Sequence, residues 1–230
     1  MKMNNSNPPY TLSRSNRKTL ALHIRDGALE VRAPLRMPQS DIDRFVASKE
    51  KWIADKLPES IEQAERRENF SLAYGDFVTY RGKQYPIEAK EGNRAGFDHT
   101  RFYIPPEMEP EDIKAACVFI YRMLAKRLLT EKTLAFAKIM SVNPTTVRIN
   151  GARTRWGSCS TKKSINYSWR LVMADDEVID YVIIHELTHL MEMNHSASFW
   201  RIVESAIPDY QARRARLKEL QIRLGSEDWE

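Results

Sequence analysis

Cysteine is nearly absent: Cys117 and Cys159 are the only two in 230 residues, far apart and in no metal-ligand spacing. That argues against a disulfide scaffold, and two free thiols suit a reducing cytoplasm. No apolar run approaches the length of a membrane span, and the polar residues 1–9 lack the apolar centre of a secretory signal. Internal repeats and low-complexity tracts are missing as well. The expectation is a soluble, cytoplasmic, globular protein with no membrane partner. Its charge is not extreme. A net of +5 and a pI near 9.1 permit a polyanionic partner such as nucleic acid without requiring one. At this length the chain can bury a full core as one domain, or as a catalytic domain with a modest N-terminal extension.

Histidine, by contrast, is clustered. Three of the five fall within residues 185–195: His185, His189 and His195. The first two belong to His185-Glu186-Leu187-Thr188-His189. On a helix, residues four apart lie one turn above the other on the same face. Two imidazoles then converge on one metal, and Glu186 is left free to act on water. The segment reads as a helix. Asp175 or Asp176 can cap it, residues 177–190 hold no Gly or Pro, and Val178, Tyr181, Val182, Ile184 and Leu190 make it largely buried. Ionisable groups packed this densely in an apolar helix are costly unless paired or metal-bound. His23 and His99 stand alone and read as ordinary surface or strand residues.

A catalytic zinc keeps three protein ligands and an open position for water. His195 is the candidate third ligand, and Glu204 the alternative. Met193-Asn194 lets the chain turn after the helix, with Asn tolerating a left-handed conformation, so that His195 folds back. Ser196 can cap a following helix in which Phe199, Trp200 and Val203 face the core. The spacing of the three histidines equals that of metzincins. However, Glu192 stands where their glycine is expected, and no methionine follows Met193 to form a Met-turn beneath the site. Glu186 is the candidate general base, taking a proton as water attacks a carbonyl and handing it to the leaving amine. Arg153, Arg155, Asn166 and Tyr210 are candidates for a further oxyanion donor. An all-imidazole site also accepts manganese, cobalt or nickel.

The remaining pattern predicts an α+β chain. Residues 18–33 alternate as a hairpin turning at Asp26-Gly27. A helix follows from Ser40, with Ser40 and Asp43 as a capping box, to near Leu57, and the charged residues 58–71 read as a solvated helix or linker. Strand signals occupy 77–80, 84–89 and 97–104. Residues 111–140 form a helix with Ile113, Cys117, Ile120, Leu124 and Leu128 on one stripe, a natural partner for the histidine helix. Its Lys126, Arg127, Lys132 and Lys138 read as a wet face. Residues 147–149, 152–160 and 165–168, with a turn at Asn150-Gly151, read as a three-stranded antiparallel meander.

Several motifs together resemble one family. They are Arg155-Trp156-Gly157-Ser158-Cys159-Ser160, Ile165-Asn166, Trp169-Arg170-Leu171, the histidine cluster, Asn194-His195-Ser196, Phe199-Trp200, Pro208-Asp209-Tyr210 and Arg213-Arg214. The chain resembles the YgjP-like metal-dependent hydrolases, relatives of the SprT-like and WLM-type zincins. The likeness is dense over residues 74–224 and looser across the N-terminal hairpin and helix. It implies a zincin-like core with a small antiparallel sheet packed on helices, at 73–224, preceded by a hairpin and helix region at 1–72 and followed by a tail at 225–230. It also implies one zinc per chain on His185, His189 and His195, Glu186 as the catalytic residue, and a metallopeptidase acting on a peptide or protein substrate.

The Trp156-Gly157-Ser158-Cys159 segment reads either as an edge strand beside the cleft or as structure, with Trp156 a core anchor and Cys159 a small buried hydrophobe. Two other functions remain open. One is hydrolysis of a nucleotide phosphoanhydride, with Arg153, Arg155 and Arg170 on phosphate. The other is a zinc-stabilised nucleic-acid-binding protein using Arg213, Arg214, Arg216, Lys218 and Arg223, although that cluster also fits a solvated helix.

Overall fold

The N-terminal alternation becomes a hairpin of β2 (Ala21–Arg25) and β3 (Ala28–Pro34). It turns through Asp26 and Gly27 at φ of 50° and 74°. Both turn residues are left-handed, the conformation that matches the twist of paired strands. Residues 8–230 are described in this computed structural model. They divide into two units, residues up to Phe70 with Leu224–Asp228, and Ser71–Arg223 with Trp229–Glu230.

In the first unit, β1 (Thr11–Ser15) pairs parallel to β3, giving the order β1-β3-β2. Leu29, Val31 and Ala33 alternate inward from the central strand and meet Ile42, Val46 and Ile53. The single helix expected from Ser40 is two helices, α1 (Gln39–Ala47) and α2 (Glu50–Glu68). No Gly or Pro marks the break. The Ser48 hydroxyl donates to the Phe45 carbonyl at 2.7 Å, competing locally with the helix ladder. The expected capping box does not form, because Asp43 accepts instead from Tyr10 and Gln39. Beyond Leu57, α2 continues through Pro58 to Glu68. Ala54 and Pro58 are both exposed, so water can satisfy the carbonyl left without an N–H partner.

The second unit opens with a four-stranded sheet, β4 (Phe77–Tyr80), β5 (Lys83–Ala89), β6 (Gly96–Phe97) and β7 (Phe102–Ile104), in the order β4-β5-β7-β6. The strand expected over 97–104 is thus two. Between them Asp98 accepts from the backbone of Thr100 and Arg101, and His99 turns at φ 73°. The long helix α3 (Pro110–Ile139) follows, with Pro110 in its first turn. Its face of Ile113, Cys117, Ile120, Tyr121 and Leu124 is buried, and it packs on α4 (Asp176–Thr188). Lys132 departs from the expected wet face, donating to Asp180 at 2.7 Å.

The three strands before α4 are not an antiparallel meander. β8 (Thr146–Asn150) and β10 (Ser164–Ser168) are parallel neighbours, and β9 (Gly157–Cys159) pairs antiparallel on the far side of β10. The Asn150-Gly151 turn does not start a hairpin. Asn150 Oδ1 accepts from Ala152 N at 3.0 Å, and the chain leaves through residues 152–156 before β9 begins. A parallel pair needs such a crossover, whereas adjacent antiparallel strands do not. Each of the three sheets therefore contains one parallel pair, and the α+β architecture has small mixed sheets rather than an antiparallel one.

After β10 comes a 3-10 turn (Trp169–Met173), then α4, α5 (Ala197–Ala206) and α6 (Tyr210–Gly225). Trp229 is buried against Tyr121 and Trp169. No described helix is long and apolar enough to cross a membrane.

Candidate metal centre

Helix α4 is fixed at its N-terminus before it carries any chemistry. The Asp175 carboxylate caps it by accepting from Val178 N at 3.0 Å, as the sequence suggests. Arg81 grips Asp176 through two nitrogens at 3.0 and 2.6 Å. Gly82, at φ 73°, lets the β4–β5 turn lie on this cap. A Cβ there would stand 2.9 Å from that of Asp175. Val178, Ile179, Val182, Ile183 and Leu187 bury the helix.

One face of α4 presents His185 and His189, and the chain returns His195 to them. Their ligand atoms all lie within 4.8 Å of one another. The Nε2 atoms of His185 and His195 are 3.0 Å apart. The return turn is built without a left-handed residue, since Asn194 is not among the positive-φ positions. Thr188 O instead accepts from the backbone N–H of both Met191 and Glu192, and Asn194 O accepts from Ser196 N at 2.7 Å. Ser196 then caps α5 by accepting from Phe199 N at 3.2 Å.

The imidazole chemistry suits a cation. Burial, then His189 and His195, then Arg214 push His185 down to about 3, so it is neutral at physiological pH. Burial lowers His189 too. His189 Nδ1 lies 3.2 Å from Glu192 O, a contact that places its proton on Nδ1 and leaves Nε2 as a free lone pair. Three nitrogens on a tetrahedral metal sit about 3.3 Å apart, a spacing compatible with this cluster. The three residues could hold one metal ion.

Phe199 forms the floor. It is fully buried, and its ring lies 4.9, 4.6 and 4.7 Å from those of His185, His189 and His195. Sequence reading placed Phe199 only in the core. Its position four residues beyond His195, on the capped helix, is the signal that links it to the site. Trp200 stacks on His195 at 5.8 Å, and Tyr210 on Trp200 at 5.3 Å.

Glu186, next along the helix from His185, packs under β9. It is 5% exposed, and its Oε2 has no hydrogen-bond partner among the described residues. Burial pushes it up to about 8, with Arg155 pulling the other way. Gly157 makes this possible, because a Cβ at that position would lie 2.5 Å from Glu186 Oε1. β9 is an edge strand, bonded to β10 alone among the described residues. Trp156 is half-buried rather than a core anchor, and Cys159 is a half-buried free thiol pushed upward by burial and the nearby Glu186.

Other candidates lie elsewhere. Glu204 is exposed and outside the histidine cluster. Arg153 and Arg170 face Glu230 at 3.3 and 3.7 Å, and Arg170 also donates to Gly151 O. Asn166 lies on β10 opposite Ser158.

Among known structures, the chain is similar to the metallopeptidase zymogen of Pyrococcus abyssi abylysin, at 26% identity over 39% of this chain and 91% of that one, with a TM-score of 0.37. It is also similar to the zymogen of Methanocaldococcus jannaschii jannalysin, at 21% identity over 40% and 94%, with a TM-score of 0.35. No curated protein matches. The YgjP-like family, metallopeptidase domain, matches residues 18–220, and the chain belongs to that family of metal-dependent peptidases.

Proposed function

We infer that the protein is a zinc-dependent peptidase in which His185, His189 and His195 hold one zinc ion and Glu186 is the general base. The observation carrying this reading is the convergence of three imidazole donors beside a buried carboxyl. Zinc, when bound, polarises the scissile carbonyl and acidifies water. Glu186 takes the proton of the attacking water and returns it to the leaving amine. A carboxyl held near neutrality by burial suits both transfers. Gly157 keeps the carboxyl covered, and the free edge of β9 receives the substrate backbone by strand addition. With two free thiols, the protein belongs in a reducing cytoplasm.

Zinc-loaded protein incubated with a mixed peptide library and a nucleotide panel tests the reading by mass spectrometry. Peptide fragments with intact nucleotides support it. Nucleotide hydrolysis with intact peptides overturns it.

A further inference from the structure

We propose that the cavity between Trp156 and helix α6 is a substrate subsite that selects a carboxylate, through Arg214 and Lys218. The proposal rests on the peptidase reading and names the substrate class for that same site.

The cavity holds about 630 Å³, and its lining includes Trp156, Tyr210, Leu217 and Gln221 together with Arg214 and Lys218. Its position ties it to the chemistry at two places. Trp156 immediately precedes β9, so the cavity opens at one end of the edge proposed to bind the substrate backbone. Tyr210 continues the aromatic stack that runs from His195 through Trp200. Arg214 lies over the Trp200 ring at 5.7 Å. In an extended peptide alternate side chains project from the same face. A residue near the scissile bond can therefore enter the cavity while the backbone pairs with β9.

The charge of the subsite follows from how α6 distributes its cations. Arg213 is held by Asp209 at 3.0 Å, and Arg216 by Glu177 at 2.5 Å and Asp175 at 3.5 Å. Arg214 and Lys218, four residues apart and hence on one face, have no carboxylate within ion-pair distance among the described residues. Both are exposed, which leaves them available to the carboxylate of a bound ligand. Aromatic and aliphatic walls take the methylenes of an acidic side chain, and the guanidinium takes its two oxygens as a fork. A peptide's terminal carboxylate offers the same chemistry.

The test uses short Ala/Ser-based peptides that differ at one position (Glu, Gln or Lys), each with a free or an amidated C-terminus. Cleavage by the metal-loaded protein is expected to favour the Glu peptide over the Gln peptide by about tenfold in kcat/KM, less at high salt. The R214E/K218E variant is expected to reverse the order toward Lys. A preference that follows amidation rather than the varied residue identifies the chain end as the carboxylate. Equal cleavage of all peptides, or an order unchanged by charge reversal, overturns the subsite while leaving the peptidase reading intact. If nothing is cleaved, calorimetric binding of the same peptides decides. Carboxylate-dependent binding lost in R214E/K218E supports the subsite, and indifferent binding overturns it.

Discussion

Helices α2 and α4 carry ionisable residues in opposite ways. On α2 charged residues such as Lys56 with Glu59 and Arg66 with Glu62 stand in water as short-range pairs, and only Ile53 is buried. Water and salt screen such pairs, so each contributes little. On α4 and its C-terminal cap, Glu186 and His189 are buried and His185 nearly so, with the His185 Nδ1 and Glu186 Oε2 atoms lacking hydrogen-bond partners among the described residues. Burying such groups costs stability, and the end of α4 with its cap carries three in five residues. The lesson is that exposure lets a helix carry charge cheaply, whereas buried ionisable groups kept without partners mark the place where structure serves chemistry.

Substitutions should sharpen this contrast. Glu186→Gln should lower kcat by about 10²–10⁴-fold while metal content stays unchanged, read by turnover beside metal analysis. His195→Ala should weaken metal binding by more than about a hundredfold, since even residues that only support a ligand contribute about 10–100-fold. Full metal occupancy in that variant would move the third-ligand assignment away from His195. Gly157→Ala would push a methyl into Glu186, and a displacement on the order of 1 Å costs up to about 10²-fold in rate. Lys56→Ala on α2 should leave the melting temperature essentially unchanged, read by thermal unfolding beside the wild type.

Protonation offers a further comparison, made on the metal-free protein. Glu186 is raised from 4.5 to about 8, so its contribution is fully present below 4.5 and lost as pH rises through 8. Glu186→Gln does not titrate. Its melting temperature should therefore gain on the wild type between pH 5 and pH 8, by about 5–10 °C. His185, lowered from 6.5 to about 3, works the other way over its own range but is common to both proteins. A variant whose melting temperature falls further behind the wild type as pH rises, or keeps a constant offset, would contradict the burial of Glu186.

Much of the site was legible because its signals are local. The four-residue spacing of His185 and His189, the caps Asp175 and Ser196, and the uninterrupted apolar helix all act within a turn or two of chain. The convergence of His195 was readable from spacing, although the turn that achieves it uses backbone carbonyls rather than a left-handed Asn194. What escaped was non-local. Nothing near residues 146–168 says that β8 and β10 run parallel, because that pairing depends on a crossover and not on alternation. The parallel addition of β1 to β3 is hidden for the same reason. The need for glycine at 157 is hidden too, because the Glu186 it accommodates lies twenty-nine positions away. The division of labour on α6 depends on Asp175, Glu177 and Asp209, only one of which lies close to the cations in sequence.

The most direct measurement is product analysis by mass spectrometry on wild-type and Glu186→Gln proteins at equal metal content, each incubated with the same peptide library. The account predicts fragments from the wild type and none from the variant. Equal fragmentation by both would contradict the role given to Glu186.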